Sequence, residues 1–216
     1  MNLIFDYDGT INNCLKTYRP AFYKAYSALV DEGIAAKRDF SDREISYWLG
    51  FTADEMWRSF MPSLSQEKRD ECKNIVGIEI ERQLSLGNAE WYTNAASTLL
   101  SLRRDGHTLI FLSNCRTGYL KAHDRVFDLK KYFDAFYWSE QYGTLSKYEI
   151  FRRFKDRYSG GFIVIGDRFH DIETAVKNNL PSVGCSYGYG SPEELSEADI
   201  LIDDISQLPE ATCSKG

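Results

Sequence analysis

The sequence predicts an α/β fold: a Rossmann-like, mostly parallel sheet with helices on both faces, interrupted by an all-helical insertion. Three observations carry this reading. From Ala95 onward, short apolar runs alternate with segments of helical period, the pattern of a parallel sheet covered on both sides. A further apolar run, Leu3 to Phe5, stands alone at the start and belongs with those strands. Between Thr10 and Asn88 no convincing strand occurs. A parallel crossover needs only about a dozen residues or slightly more, so this stretch is read as an insertion. The expected organisation is a core of residues 1–13 and 89–216 and an inserted helical cap of residues 14–88.

The elements follow in order. After the first strand, "RPAFYKAYSALVDEG" places Phe22, Ala25, Tyr26, Leu29 and Val30 on one helical face, and Gly33 marks its stop. "SDREISYWLG" opens with Ser41 and Glu44 three residues apart, a capping box. "LSQEKRDECKNIVGIEIERQLSLG" reads as one long helix ending near Gly87. Then come helix "AASTLLSLRRDG", strand "HTLIFLSN", helix "TGYLKAHDRVFDL", strand "FDAFYWSE", helix "KYEIFRRFKDRY" and strand "GFIVIGD". Helix "DIETAVKNN", strand "PSVGCS", strand "ADILIDD" and a short helical tail complete the chain.

Composition narrows the function classes. The 216 residues suit one globular unit with an insertion, and 43% hydrophobic content can bury a core. A net charge of −6 provides no basic footprint for nucleic acid and no positive run for an acidic membrane surface, so a small solute is the expected partner. Five scattered cysteines (Cys14, Cys72, Cys115, Cys185 and Cys213) without a CxxC pair suggest neither a disulfide framework nor a zinc site. With no apolar run approaching the ~20 residues of a membrane span, and only three apolar residues before Asp6, a cytoplasmic location is expected.

Sheets of this kind bind ligands beyond the carboxyl ends of their strands. Asp6 and Asp8 follow the first strand, Ser113 and Asn114 end "LIFLSN", and Asp167 and Asp171 follow "FIVIG", with Lys147 opening the helix before that strand. Converging on one crevice, they offer carboxylates for a hard cation, a hydroxyl and an amide for phosphate oxygens, and a compact positive charge. Mg²⁺ together with a phosphate group suits that set. Each residue also has a bland reading: Asp-Gly is a common turn pair, Ser113 or Asp171 could cap the next helix, and surface lysines are ordinary.

In that order, "DYDGT", "SN", a lone Lys and "GDRFHD" resemble the four motifs of the haloacid dehalogenase superfamily. The resemblance spans the whole chain and is nearest to the phosphoglycolate phosphatase and beta-phosphoglucomutase-like branch, whose helical cap is inserted where the long helical stretch lies. "SYGYGSPEEL" is similar to the same branch. The resemblance implies a phosphatase in which Asp6 attacks phosphorus to form an aspartyl phosphate and Asp8 serves as acid and base. It implies Mg²⁺ held by Asp6, Asp167, Asp171 and the Asp8 backbone carbonyl, with Ser113, Asn114 and Lys147 holding the transferring phosphoryl. A carboxyl near its reference pKa of about 3.9 would be a poor acid, so Asp8 needs burial or a neighbouring charge to raise it.

Three positions depart from the pattern. Tyr148 follows Lys147 where many relatives have Pro; Arg116 stands near the place of another basic residue; Asn13 replaces a frequent Asp. Within the insertion, Tyr18, Arg19, Tyr23, Arg43, Tyr47, Trp48, Trp57 and Arg58 could face the crevice, although aromatics at helical spacing more often form core. Tyr7, on the opposite strand face from the aspartates, is expected to pack. The expected substrate is a small phosphate monoester. A phosphomutase would use the same groups, and a non-catalytic binding or regulatory protein could retain the fold. A dehalogenase is disfavoured, because the resembling dehalogenases lack the second aspartate of DxD and need no metal.

Overall fold

The computed structural model describes residues 1–143 and 145–213. Six parallel strands form one sheet: β1 (Asn2–Phe5), β2 (Thr108–Ser113), β3 (Ala135–Trp138), β4 (Phe162–Gly166), β5 (Ser182–Cys185) and β6 (Ile200–Ile202), in the order β3-β2-β1-β4-β5-β6. The chain runs outward from β1 to β3 on one side, then returns to begin β4 on the other. The strand order therefore reverses at β1, where such sheets open a crevice.

Alternation along the strands supplies two cores. Leu3 and Phe5 pack with Leu109, Phe111, Ile163 and Ile165 on one face; Ile4 packs with Ile110, Leu112 and Val164 on the other. Because both faces are covered by helices, the strands are almost continuously apolar rather than alternating. The covering helices are α5 (Ala95–Arg104), α6 (Thr117–Phe127), α7 (Lys147–Phe154), α8 (Phe169–Val176) and α9 (Leu208–Cys213).

Between β1 and α5 lie α1 (Leu15–Asp31), α2 (Asp42–Ser46), α3 (Ala53–Phe60) and α4 (Gln66–Ser85), with no strand among them. They have their own apolar centre, in which Phe22 meets Tyr26, Phe40 and Phe60 and Tyr26 stands edge-on to Phe40 at 4.8 Å. The chain enters and leaves this unit through two adjacent segments tied by Asn13 N–H to Glu90 O and Tyr92 N–H to Ile11 O. Its α1 and α4 rest on α6 of the sheet layer through Ala21, Ile80, Leu84 and Ala122.

Three boundaries differ from the sequence expectation. Helix α1 begins at Leu15, one turn before "RPAFY", and so carries Pro20 inside it at the cost of a backbone bond. "SDREISYWLG" yields a helix of five residues and then turns, although its Ser41–Glu44 capping box forms. Helix α3, capped by Thr52 and Glu55, was not separately expected. Among the described residues no helix is long and apolar enough to cross a membrane.

Candidate active site

Register places the first acids. Phe5 stands opposite Ile165, and the Asp6 N–H continues the ladder to Ile165 O at 2.9 Å, so β1 and β4 run out together and deliver Asp6 and Asp167 to one point. Asp171 arrives from the first turn of α8, where its Oδ2 accepts the Arg168 N–H at 3.1 Å. Asp167 precedes that helix rather than sharing a helical face with Asp171; the turn between them folds both inward. One ligand oxygen from each of Asp6, Asp167 and Asp171 lies within 4.8 Å of the others.

Lys147, the first residue of α7, reaches into this cluster. Its Nζ lies 2.7 Å from Asp6 Oδ1 and 2.7 Å from Asp171 Oδ1. None of Asp6, Lys147, Asp167 and Asp171 is more than 3% exposed. The Tyr148 that follows does not disturb this placement, since Lys147 opens the helix whatever stands next. Asp167 is held from two other sides, by the Thr10 hydroxyl at 3.1 Å and the Tyr189 N–H at 2.8 Å. Gly9 is required at its position: its φ is +90°, and a Cβ there would lie 2.1 Å from Asp167 Oδ2.

These contacts leave an electrostatic imbalance. Three carboxylates are buried together with one ammonium, which pairs with Asp6 and Asp171, and Asp6 Oδ2 is buried without a hydrogen-bond partner. Burial first, then the Asp171 charge, pushes the Asp6 pKa well above the usual carboxylate range; the same two causes push Asp167 up to about 7. Burial pulls the Lys147 ammonium down, but Asp171 and Asp6 outweigh it and the net shift is upward. A hard divalent cation among these oxygens would remove the imbalance, and an all-carboxylate donor set is the kind Mg²⁺ accepts. The residues present fit such an ion.

Asp8 stands apart from the cluster. It is half-buried on the wall of a cavity, and its Oδ1 accepts from Asn12 Nδ2 at 2.7 Å and from the Tyr119 hydroxyl. Enclosure raises its pKa, against the pull of the Tyr119 and Asn12 hydrogen bonds. Tyr7 turns to the other side, where its hydroxyl meets His123 Nδ1 at 2.9 Å and receives the Trp91 N–H at 3.0 Å. Nothing local marks Tyr119, whose approach to Asp8 depends on how α6 packs. Asn12, four residues beyond Asp8, was within reach of a closer reading of the turn.

Ser113 and Asn114 arrive at the end of β2 and line the same cavity. Ser113 is buried, whereas the Asn114 amide donates to Gly50 O of the inserted unit at 2.9 Å. Arg116 is half-exposed and pairs with Glu140 at 3.2 Å on the cavity rim. Asn13 lies outside the cluster, bonded to Glu90 and to the Tyr189 hydroxyl where the two connecting segments meet. Of the aromatic and basic candidates in the insertion, Tyr18, Trp48 and Trp57 line the cavity; Tyr23 is tied to Phe40, and Arg19 pairs with Asp42.

The cavity measures about 570 Å³ and lies between the strand ends and the inserted helices. Asp6, Asp8 and Ser113 form its polar end. Trp48, Phe51, Met56, Trp57, Val76 and Ile80 form much of the rest.

Comparison with known proteins agrees with this architecture. A 5'-nucleotidase of Pseudomonas aeruginosa is 35% identical across 90% of this chain and 86% of its own length. The crystal structure of a predicted phosphatase from Clostridium acetobutylicum superposes with a TM-score of 0.82 at 23% identity, covering 99% of this chain and 98% of the other. That of a predicted phosphoglycolate phosphatase from Haemophilus somnus gives 0.79 at 21% identity, covering 98% and 97%. The family model described as haloacid dehalogenase-like hydrolase matches residues 3–185. This chain belongs to the haloacid dehalogenase-like hydrolase family.

Proposed function

We propose that this hydrolase is a Mg²⁺-dependent phosphatase that cleaves a small phosphate monoester through an aspartyl phosphate on Asp6, and that its substrates are nucleoside monophosphates. The observation that carries the reading is Asp6 Oδ2: a buried carboxylate oxygen without a partner, beside a lysine and two further carboxylates, at the polar end of a large cavity. A structural carboxylate would be expected to have both oxygens paired.

Phosphate monoesters hydrolyse extremely slowly, because the dianion repels nucleophiles and the alkoxide leaves poorly. Lys147 holds Asp6 Oδ1, which aims Oδ2 as the attacking oxygen and adds positive charge beside the incoming phosphoryl group. Asp6, Asp167, Asp171 and the Asp8 carbonyl would hold Mg²⁺, which would supply charge neutralisation between the two anions. Ser113 and Asn114 offer a hydroxyl and an amide to the phosphoryl oxygens. As the Asp6 Oδ2–phosphorus bond forms and the ester bond breaks, Asp8 gives its proton to the leaving oxygen. Asn12 and Tyr119 both donate to Asp8 Oδ1, so the proton resides on Oδ2, and enclosure keeps the carboxyl protonated above its ordinary range. Asp8 then takes a proton from water, which attacks phosphorus and releases Asp6 and inorganic phosphate. Residues 14–88 act as the cap that keeps other water out.

Cavity size and lining support the substrate class. Sites of about 300–1,000 Å³ accommodate ligands of drug size. The two-carbon leaving group of phosphoglycolate would fill little of 570 Å³, whereas a nucleoside would place its base among Trp48, Phe51 and Trp57. The name of the Pseudomonas aeruginosa relative supports the same choice.

The test is phosphate release from nucleoside monophosphates, sugar phosphates and phosphoglycolate, each with Mg²⁺ and with EDTA. Metal-dependent release, fastest from a nucleotide, is the expected result. Preference for phosphoglycolate would discard the substrate class, and absence of release from every ester would discard the phosphatase.

A further inference from the structure

Arg168 lies between Asp167 and Asp171, yet its guanidinium makes its hydrogen bonds elsewhere. The residue is 1% exposed, although it carries a full charge. Glu194 receives it as a fork, with Nε to Oε2 at 2.8 Å and Nη2 to Oε1 at 3.2 Å. The remaining nitrogen, Nη1, crosses to the inserted unit and donates to Tyr47 O at 3.0 Å and to Leu49 O at short range. Asn114 adds a third such bond, to Gly50 O. Three carbonyls of a single turn are thus held by side chains of the sheet layer.

The turn's other backbone bonds are all local. It follows the five-residue α2; its backbone bonds are short-range (Tyr47 N–H to Arg43 O, Trp48 N–H to Ile45 O, Leu49 N–H to Ser46 O and Phe51 N–H to Trp48 O), and Trp48 and Phe51 pack on the edge of the inserted unit's apolar centre. Contacts with Arg168 shape it closely. The guanidinium lies 5.1 Å from the Phe51 ring centre, and Phe51 itself packs against Phe169 and His170 of α8. Gly50 has φ +86°, and a Cβ there would fall 2.8 Å from Arg168 Cγ. The same turn presents Trp48, Leu49, Gly50 and Phe51 to the cavity.

We propose that Arg168, oriented by Glu194, is a positioning residue for substrate selection: it pins the Tyr47–Phe51 turn over the cavity and so holds Trp48 and Phe51 where the leaving group binds. A buried guanidinium deprived of those carbonyls would be left with unsatisfied donors, which favours the turn in this position. Lysine cannot replace it, because one ammonium cannot present two parallel N–H donors to the Glu194 carboxylate and also donate to two carbonyls. The proposal rests on the phosphatase reading for its kinetic consequence, but not for its structural one.

Hydrogen exchange followed by mass spectrometry tests the structural consequence without any substrate. Arg168→Met keeps the length and removes the donors. Peptides covering residues 45–52 are expected to exchange at least about tenfold faster than in the native protein, while those from α1 and β1 keep their rates. Gly50→Ala attacks the same contact from the other side and is expected to do likewise, as is Glu194→Gln to a smaller extent; either serves if Arg168→Met fails to fold. Kinetically, Arg168→Met is expected to raise KM for the best substrate about tenfold and to change kcat less than threefold. Unchanged exchange over residues 45–52 in folded variants overturns the proposal. So does a loss confined to kcat, which would mean that Arg168 serves Asp167 and Asp171 instead. Should the native protein release no phosphate from any ester, the phosphatase reading falls, while the exchange result still judges whether Arg168 holds the turn.

Discussion

The two ends of the cavity are held in opposite ways. At the sheet end, Asp6, Lys147, Asp167 and Asp171 are buried side chains fixed by strand register and by one another. At the inserted end, Trp48 and Phe51 sit on a turn held through its backbone carbonyls by Arg168 and Asn114. On the proposed reading, the reacting groups are built into rigid elements, while the surface facing the leaving group is a turn packed on the inserted helices and tied to the sheet layer by a few hydrogen bonds across the crevice. A hydrolase built this way can alter its preference by changing a turn while the reacting groups keep their places.

The sharpest way to break this contrast is Asp6→Asn. The change is nearly isosteric, so the fold should persist while phosphate release falls by about 10⁴-fold or more, as when a nucleophile is removed. Activity within tenfold of native would end the assignment of Asp6.

Lys147→Met addresses the rigidity of the sheet end. Removing one partner of a buried ion pair costs about 3–5 kcal/mol, and here two carboxylates lose their shared cation. Urea denaturation in metal-free buffer should show a loss of that size. Mg²⁺ should then narrow the gap to the native protein, because it compensates the same oxygens. A gap that Mg²⁺ leaves unchanged would separate Lys147 from the metal cluster.

His123 offers a pH test within the same layer. Burial lowers its folded pKa to about 3, from an unfolded value near 6.5. The unfolded chain therefore binds a proton that the folded protein refuses. The contribution of the neutral imidazole is complete above about pH 6.5 and is lost as pH falls toward 3, by up to about 1.4 kcal/mol per pH unit. Asp167 runs the other way, since its raised folded pKa favours the folded state as pH drops from about 7. The informative quantity is thus native minus His123→Gln, followed by denaturant midpoints from pH 7 to 4. A flat difference would show that the imidazole is solvated.

The smallest expected effect lies at the inserted end. Trp48→Ala should raise KM for a nucleoside monophosphate about tenfold, near the ~1–3 kcal/mol of a base on an aromatic ring. Global stability should change much less, because Trp48 is only half-buried. An unchanged KM would mean that the base does not reach this turn.

Much of the molecule was legible in the sequence for local reasons. All six strands announce themselves as apolar runs bounded by polar or turn residues, and Asp6 and Asp167 can be named because each stands directly after such a run, with Asp8 and Asp171 a few residues on. The Ser41–Glu44 box is equally local. Helix α3 was obscured because its eight residues follow a turn rich in aromatics, where periodicity is hard to read. Strand order was not legible, nor was the meeting of Lys147 with Asp6 across 141 positions of chain, nor the approach of Tyr119 to Asp8. Arg168 shows the division most clearly. The sequence places it inside "GDRFHD" beside two candidate metal ligands, but says nothing of the carbonyls at Tyr47 and Leu49. Side-chain type and spacing along the chain are written residue by residue and determine strands, turns and candidate chemistry. Contacts between a side chain and a distant backbone carbonyl carry no side-chain signature at the acceptor, so only the packing of the inserted helices against the sheet could decide them.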